Sequence, residues 1–396
     1  MMSFEFNTPS RILFGRGQVK RLAELGPPFG AAALMVHGGN EERWQVQVVR
    51  KILEEKQIQL TLVRQQGEPH VEQVDQIVAK ARRCDCEFII GIGGGSAIDA
   101  AKAVAGLLSN GGSALDYLEV VGKGRKFSRP SLPWIAIPTT AGTGAEATRN
   151  AVLTSGTFKA SMRSEHLFPR LAIVDSELGL GIPQTIYASS GMDALCQLIE
   201  SYTSTGANPM TDGLALRGIE LAAPALVRAY GWPSDDDARD AMALAALLSG
   251  ICLTNAGLGA VHGFAAPLGG HFPIPHGVIC AALLPPVISA NVAALRGERP
   301  EHPTLFRYAT IGRLAAGQSD LSRDEAIAHL ERFCLDLLCQ LSIPNFAEFM
   351  LNESHIEKMI PLARQSSSMK YNPVKLSDEA LAGILRAGIA GYPDPK

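Results

Sequence analysis

The sequence predicts an α/β domain built on a doubly wound, mostly parallel sheet, followed by an all-α domain. Three observations support this prediction. Short β-rich runs alternate with helical patterns in the first half, one run ends in a glycine-rich turn, and Ala- and Leu-rich helical patterns fill the second half. We place the boundary near Ile182–Pro183, so that residues 1–182 form the α/β domain and residues 183–396 the helical domain. The cleft between the two domains is the expected ligand site.

Five β-rich runs define the predicted sheet, and each ends in glycine, proline or polar residues. They are RILFG (11–15), AALMVHGG (32–39), QLTLVRQQ (59–66), CEFIIGIGGG (86–95) and PWIAIPTT (133–140). The intervening segments GQVKRLAELG, ERWQVQVVRKILEEKQ and VEQVDQIVAKARRC carry apolar residues at helical spacing. This alternation predicts a parallel sheet with ligands at the carboxyl ends of its strands.

Composition and charge are those of a soluble globular protein. Lys and Arg total 36 against 39 Asp and Glu. The sequence has no basic stretch interleaved with aromatic residues, so it gives no sign of a nucleic-acid partner. The seven cysteines are scattered along the chain, as expected of buried thiols in a reducing compartment. The N-terminus lacks a signal-peptide pattern, so we expect a cytoplasmic protein.

The uncharged segment 241–261 nearly reaches the length that crosses a bilayer. It is interrupted by six small or polar residues, which are Ser249, Gly250, Thr254, Asn255, Gly257 and Gly259. We therefore predict a helix that is broken at its middle and buried within a soluble domain, with no contact with a membrane.

Two polar loops follow predicted strands. In the first, Gly93-Gly94-Gly95-Ser96 precedes a helix that we expect to begin at about Ala97, and backbone N–H groups at such a turn suit a pyrophosphate. The spacing differs from the usual G-x-G-x-x-G pattern, and a tight turn without a ligand is the alternative. The second loop, IPTTAGTGAEATRN (137–150), offers threonine hydroxyls to a flat ligand, or else uses them to satisfy its own backbone.

A possible metal site combines two distant segments. In GMDALCQLIESYTS (191–204), Asp193 lies on a predicted helix, and His262 and His276 flank a Gly- and Pro-rich segment downstream. One carboxylate and two imidazoles can hold a divalent Fe or Zn ion and leave a position open for substrate. A lone histidine is more often structural, but these two stand beside glycines in a chain with only nine histidines.

Long motifs run in order along nearly the whole chain. They are FNTPSRILFGRG, GGGSAIDAAKAVA, PTTAGTGAEAT, PRLAIVDSEL, GMDAL…IESYTS, GLGAVHGFAAPLGGHFPIPHG and NPVKLSDEAL. In these motifs the sequence resembles the iron-containing (group III) alcohol dehydrogenase family, which has a dehydroquinate synthase-like fold. The resemblance implies a dinucleotide-binding α/β domain, a helical domain that holds metal and substrate, and a homodimer or higher homo-oligomer.

The resemblance also implies functional residues. It assigns NAD or NADP to Gly94, Gly95, Ser96, Asp99, Thr139, Thr140, Thr143, Thr148 and Lys159, with Asn150 on the substrate side. It assigns a divalent metal, Fe(II) in the first place and Zn(II) in the second, to Asp193, His262, His276 and the position of Gln197.

Two positions depart from the family pattern. The family usually has histidine where this chain has Gln197, one helical turn after Asp193. Three interpretations stay open: a weakened four-ligand site, a three-ligand site in which Gln197 hydrogen-bonds a ligand or water, or a site that no longer holds metal. Many members also have a proton-moving histidine where this chain has Ala266. His271 is the candidate replacement, or else a loop histidine without a role.

Whether the site accepts the 2′-phosphate of NADP depends on the residues after the second strand. In the family an Asp at this point selects NAD, whereas this chain has Gly38 and Gly39. Without that carboxylate NADP is permitted, and the glycine N–H groups, Asn40 and Arg43 can bind its phosphate. A glycine turn without preference is the alternative.

The expected activity is metal-dependent, reversible hydride transfer between a small primary alcohol or aldehyde and the nicotinamide, with the metal as Lewis acid. Phe264 and Phe272 suggest a small substrate pocket with an aromatic wall. A dehydroquinate synthase-like lyase or cyclase is one alternative, but it would need basic residues near 255–277, where there are none. A metal-free, nucleotide-binding pseudoenzyme is the other, and only Gln197 and Ala266 favour it.

Overall fold

The computed structural model describes residues 3–392 of the chain. They form two compact units, one of residues 7–180 and one of residues 181–392 together with residues 3–6. The first unit has a parallel sheet flanked by helices, and the second is helical. This confirms the predicted fold class.

The α/β unit contains eight strands among its described residues. They are β1 (Ile12–Phe14), β2 (Ala32–Gly38), β3 (Gln59–Gln65), β4 (Phe88–Gly93), β5 (Trp134–Pro138), β6 (Asn150–Ser155), β7 (Phe158–Arg163) and β8 (Leu171–Val174). Six of them form one parallel sheet in the order β1-β8-β5-β4-β2-β3, and β6 and β7 form an antiparallel hairpin. Sequence patterns predicted the first five strands and missed β6, β7 and β8.

Helices cover both faces of the sheet. They are α1 (Leu22–Leu25), α2 (Trp44–Glu55), α3 (Val71–Arg83), α4 (Gly95–Asn110) and α5 (Ala114–Tyr117). Because side chains alternate along a strand, Met35 packs in one core with Val49 of α2, whereas Leu34 packs in the other with Ile98 of α4. In the sheet, β3 lies on one side of β2, and the next strand of the chain, β4, lies on the other side of β2. The carboxyl ends of β2 and β4 therefore form a switch point, where sheets of this type bind ligands.

The helical unit is built from nine α-helices among its described residues. They are α6 (Gln184–Thr203), α7 (Pro209–Gly231), α8 (Asp236–Ala256), α9 (Ala260–His271), α10 (His276–Glu298), α11 (Pro303–Ala316), α12 (Arg323–Gln340), α13 (Ile356–Gln365) and α14 (Asp378–Ala390). Helix α6 is buried along nearly its whole length by α7, α8 and α10. Any polar side chain on α6 must therefore find its partners inside the protein.

The uncharged segment 241–261 is broken, as its glycines indicated. The break lies at residues 257–259, nearer the end of the segment than its middle, and the axes of α8 and α9 differ there by 100°. Helix α10 is long and apolar enough to cross a membrane by length and composition, but 72% of its most apolar window is buried within the protein. Core helices of soluble proteins share these properties.

Candidate metal centre and nucleotide-binding edge

Four side chains of the helical unit converge on one point. They are Asp193 of α6, His262 of α9, and His276 and Cys280 of α10, and their ligand atoms all lie within 4.8 Å of one another. Asp193 Oδ1 lies 3.2 Å from His262 Nε2 and 3.6 Å from His276 Nε2. The structure thus brings together three residues that the sequence predicted as ligands. It adds Cys280, which the sequence analysis treated only as a buried thiol.

The start of α10 lies directly against the backbone of α6. A Cβ atom on Gly277 would stand 2.3 Å from the carbonyl oxygen of Ser189, a distance that no side chain tolerates. Glycine therefore permits the close approach that places His276 beside Asp193. His276 and Cys280 are one helical turn apart and face the same way.

The start of α9 is held by two distant side chains. Gly259 precedes the helix and has no side chain to cap it, yet Ala260 N–H donates to Asn372 Oδ1 at 3.1 Å. Val261 N–H donates to Glu200 Oε1 at 2.8 Å. These acceptors satisfy backbone donors that helix ends leave open, and they fix the turn that carries His262.

Glu200 also orients the His262 ring. Its Oε2 lies 2.6 Å from His262 Nδ1, and both side chains are buried. A carboxylate accepts from Nδ1–H, so Nε2 presents its lone pair to Asp193 and Cys280. Metal-binding histidines are commonly oriented by such a second carboxylate. The sequence analysis missed Glu200, although its position seven residues after Asp193 puts both on one face of α6.

The cluster requires a positive charge at its centre. His262 Nε2 and Asp193 Oδ1 are both acceptors once Glu200 holds the Nδ1 proton, and they face each other at 3.2 Å. Burial alone would lower the pKa of His262, but Cys280, Asp193 and Glu200 together raise it well above its usual range. Burial likewise opposes the charge of Asp193, yet the two histidines hold the pKa of its carboxyl below the usual value. Either a proton or a metal ion satisfies this arrangement.

Gln197 bonds to Asp193 with one end of its amide and to α8 with the other. Its Nε2 donates to Asp193 Oδ2 at 3.2 Å, and its Oε1 accepts from the Ser249 hydroxyl at 2.9 Å. These bonds suit a residue that orients the carboxylate of Asp193. Direct metal binding by Gln197 stays a prediction.

Other predicted residues of the helical unit make different contacts. The Nδ1–H of His271 donates to the carbonyl of Pro267 in its own helix, at 3.0 Å. Phe264 is fully buried in the core, so the expectation that Phe264 lines an open pocket was wrong. Phe272 packs edge-on against the His355 ring, with centroids 5.0 Å apart.

In the α/β unit, the glycine-rich turn packs closely against the neighbouring threonine loop. Helix α4 begins at Gly95, two residues before the expected start, and Ser96 lies in its first turn. A Cβ on Gly94 would stand 3.3 Å from Thr140 Cγ2, and one on Gly95 would stand 2.9 Å from Thr143 Cγ2. Gly94 at the N-cap has no side chain to offer the first N–H groups, which are therefore suited to an anion.

The third loop at this edge follows β2. Gly38 lies beside the turn after β4, because a Cβ on it would stand 3.6 Å from Gly93 Cα. Gly39 has a positive φ of 72°, and a Cβ there would stand 2.9 Å from Arg43 Cδ. Arg43 therefore folds back over Gly39. The Asn40 side chain accepts from Glu42 N–H at 3.3 Å.

A buried lysine organises the threonine loop. Lys102 Nζ of α4 donates to Ala145 O at 2.9 Å, Thr148 Oγ1 at 2.6 Å and Asn150 O at 2.7 Å. Asp99 lies 3.4 Å from the same Nζ. Desolvation lowers the pKa of Lys102, and Asp99 opposes that shift. The sequence analysis missed this residue.

Three predicted cofactor residues have structural partners here. Asp99 Oδ2 accepts from Val152 N–H of the hairpin at 3.0 Å, Thr148 is buried against Lys102, and Lys159 pairs with Glu68 at 3.1 Å. Thr139, by contrast, is only half-buried and follows β5 directly; its N–H donates to Gly93 O at 2.9 Å.

Comparison with known proteins gives consistent matches over nearly the whole chain. Residues 9–176 match the family model described as iron-containing alcohol dehydrogenase, and residues 187–389 match its C-terminal counterpart. Alcohol dehydrogenase 4 of Schizosaccharomyces pombe is 33% identical over 97% of this chain and 89% of its own length.

Comparison with solved structures also gives matches over nearly the whole chain. The crystal structure of a 1,3-propanediol oxidoreductase superposes with a TM-score of 0.90 at 31% identity, covering 98% of this chain and 100% of the other. A sulfoacetaldehyde reductase from Bifidobacterium kashiwanohense, solved in complex with NAD+, gives 0.84 at 28% identity, with coverage of 98% and 100%.

Proposed function

This chain belongs to the iron-containing alcohol dehydrogenase family, and we propose that it transfers hydride reversibly between a small primary alcohol, or its aldehyde, and a nicotinamide. Membership makes it an oxidoreductase that acts on alcohols and uses a divalent metal and NAD(P). The observation that carries the finer proposal is the convergence of Asp193, His262 and His276. A metal-free binding protein would have no need of this arrangement, and a dehydroquinate synthase-like lyase would need basic residues near 255–277, where there are none.

The residues present fit a divalent ion. The donor set combines a carboxylate with two imidazoles, as Fe(II) and Zn(II) both accept, and the opposed acceptors of His262 and Asp193 need a positive charge between them. When bound, the ion supplies Lewis acidity that stabilises negative charge on the substrate oxygen. Glu200 fixes the tautomer of His262, and Gln197 orients Asp193.

The open side of the metal centre is at His276. Its side chain is 34% exposed, whereas those of Asp193 and His262 are 1% and 7% exposed. We propose that the substrate oxygen approaches from this side. His271 is proposed as the proton relay in place of the family histidine at Ala266; since its Nδ1 holds a proton for Pro267, proton exchange would use Nε2.

We propose that the nicotinamide cofactor binds at the switch point of the sheet. The pyrophosphate would lie on the N–H groups of Gly94, Gly95 and Ser96, and the threonine loop would face the nicotinamide. We propose NADP(H) as the preferred cofactor, because Arg43 covers Gly39 and no carboxylate stands at Gly38. We also propose that the protein is a homo-oligomer, at least a dimer, in the cytoplasm.

A single substitution tests the function. His262→Ala should abolish NADPH-dependent reduction of short aldehydes while the dissociation constant for NADPH stays within about twofold, because the cofactor site lies in the α/β unit. His329→Ala, which alters a histidine of α12 outside the metal centre, is the matched control and should keep full activity. Undiminished turnover by His262→Ala would refute the metal-dependent mechanism.

A further inference from the structure

Cys280 lies among the proposed metal ligands, and the three-ligand site leaves its position unexplained. Its Sγ is 3.6 Å from His262 Nε2 and also 3.6 Å from His276 Nε2. It is fully buried and belongs to the group whose donor atoms lie within 4.8 Å of one another. These distances also fit weak S–H···N hydrogen bonds, but a thiol has one proton and can donate it to only one of the two nitrogens.

Four distances between these donor atoms match those of a tetrahedral metal site. With a metal–sulfur bond of about 2.3 Å and metal–nitrogen bonds of about 2.05 Å, tetrahedral angles separate sulfur from nitrogen by about 3.6 Å. Both distances from Cys280 Sγ have this value. The same geometry separates oxygen from nitrogen by about 3.4 Å, and the Asp193 oxygen lies 3.2 and 3.6 Å from the two nitrogens.

Gln197 has hydrogen-bond partners at both ends of its amide. Its Oε1, the only atom of the side chain that can bind a cation, accepts from Ser249 on α8. Its Nε2 faces Asp193 Oδ2 instead. To bind a metal, Gln197 Oε1 would have to give up its bond to Ser249.

We propose that Cys280, as a thiolate, is the fourth protein ligand of the metal, in a set formed with Asp193, His262 and His276. A substrate oxygen would then bind as a fifth ligand, an expansion that catalytic metal sites of this kind allow. Gln197 then orients Asp193 without binding the ion. This inference rests on the proposed function, because it requires a divalent ion at this centre.

The proposed set has consequences for charge and metal choice. A thiol that coordinates a divalent ion loses its proton to solvent, so the ion would face the thiolate of Cys280 and the carboxylate of Asp193 directly. The carboxylate of Glu200 lies behind His262, on the far side of its ring. The soft thiolate also favours Zn(II) over Fe(II) at this centre, in agreement with the general order of affinities.

Cobalt(II) spectroscopy tests the proposal without relying on turnover. The full-length protein is stripped of metal with a chelator and titrated anaerobically with Co(II), which shows intense sulfur-to-metal charge-transfer absorption in the near ultraviolet only when a thiolate is bound. Wild type should bind one Co(II) per chain with this band. Cys280→Ser should bind Co(II) without it, and its affinity for Zn(II) should fall at least about tenfold.

Cys196→Ser is the matched control, because Cys196 is a second buried thiol close to Glu200 and His262; it should keep the band. One Co(II) per chain without the band in wild type would overturn the Cys280 proposal and leave the metal-dependent function standing. The band's loss in Cys196→Ser and not in Cys280→Ser would overturn it as well. Failure of wild type to bind Co(II) or Zn(II) at all would refute both proposals.

Discussion

Replacing Glu200 by glutamine probes how the protein prepares His262 for a metal. Glu200 accepts from Val261 N–H at 2.8 Å and from His262 Nδ1–H at 2.6 Å, within the core of the helical unit. Glutamine has nearly the same shape but only one acceptor oxygen. If that oxygen keeps its bond to Val261, the NH2 group meets Nδ1, and the ring must move its proton to Nε2.

That proton would occupy the nitrogen that faces Asp193 and Cys280, so metal binding must first reverse the tautomer. Loss of an orienting partner of this kind lowers metal affinity by about 10- to 100-fold, or about 1.4–2.8 kcal/mol. We expect Glu200→Gln to show this loss in a competitive titration of Zn(II) against a chelator of known affinity. Its NADPH affinity should not change.

Glu220→Gln is the matched control, because Glu220 is an exposed residue of α7 that pairs with Arg217, its neighbour on the same helix. Its metal affinity should equal that of wild type. If Glu200→Gln also binds Zn(II) within twofold of wild type, then Glu200 does not set the tautomer of His262, and the role assigned to it is wrong.

Three further substitutions test other parts of the account. Gly277→Ala should lower the free energy of unfolding by about 1–3 kcal/mol and weaken Zn(II) binding. Gly297→Ala, at a position with open space near the end of the same helix, should not destabilise the protein. Equal urea midpoints for the two variants would contradict this. Lys102→Met should lower the free energy of unfolding by about 3–5 kcal/mol, because it leaves buried carbonyls and the carboxylate of Asp99 without their lysine partner. Lys123→Met, which removes an exposed ion pair, should lower it by less than about 1 kcal/mol. Gly38→Asp should shift the ratio of kcat/KM for NADPH and NADH towards NADH by about tenfold or more, since like charges repel; an unchanged ratio would exclude Gly38 from the phosphate site.

Much of the α/β unit follows from local sequence patterns. The five predicted strands end in glycine, proline or polar residues, so their limits are visible in the sequence. Strand β8 has only four residues, all apolar and buried, and such a run cannot be told from part of a helix by periodicity. The hairpin of β6 and β7 is held in place by Asp99 and Lys102 of α4, which no local pattern reveals.

The sequence predicted that Asp193, His262 and His276 come together, but it did not predict the residues that support them. Asp193, His262 and His276 stand in motifs that point to a metal, but the acceptors that hold α9 come from far along the chain. Glu200 and Asn372 are 61 and 112 residues from the N–H groups that they bind. Cys280 could have been predicted, because it follows His276 by one helical turn. A search for metal-binding residues one turn from each predicted ligand would have identified it.

The most direct test of the central claim is the metal content and activity of the protein purified anaerobically without chelator. Elemental mass spectrometry should give close to one Zn or Fe per chain. Chelation should abolish NADPH-dependent aldehyde reduction, and one equivalent of Zn(II) or Fe(II) should restore it. Protein that contains no metal, takes up none, and reduces aldehydes at an unchanged rate after chelation would contradict the account.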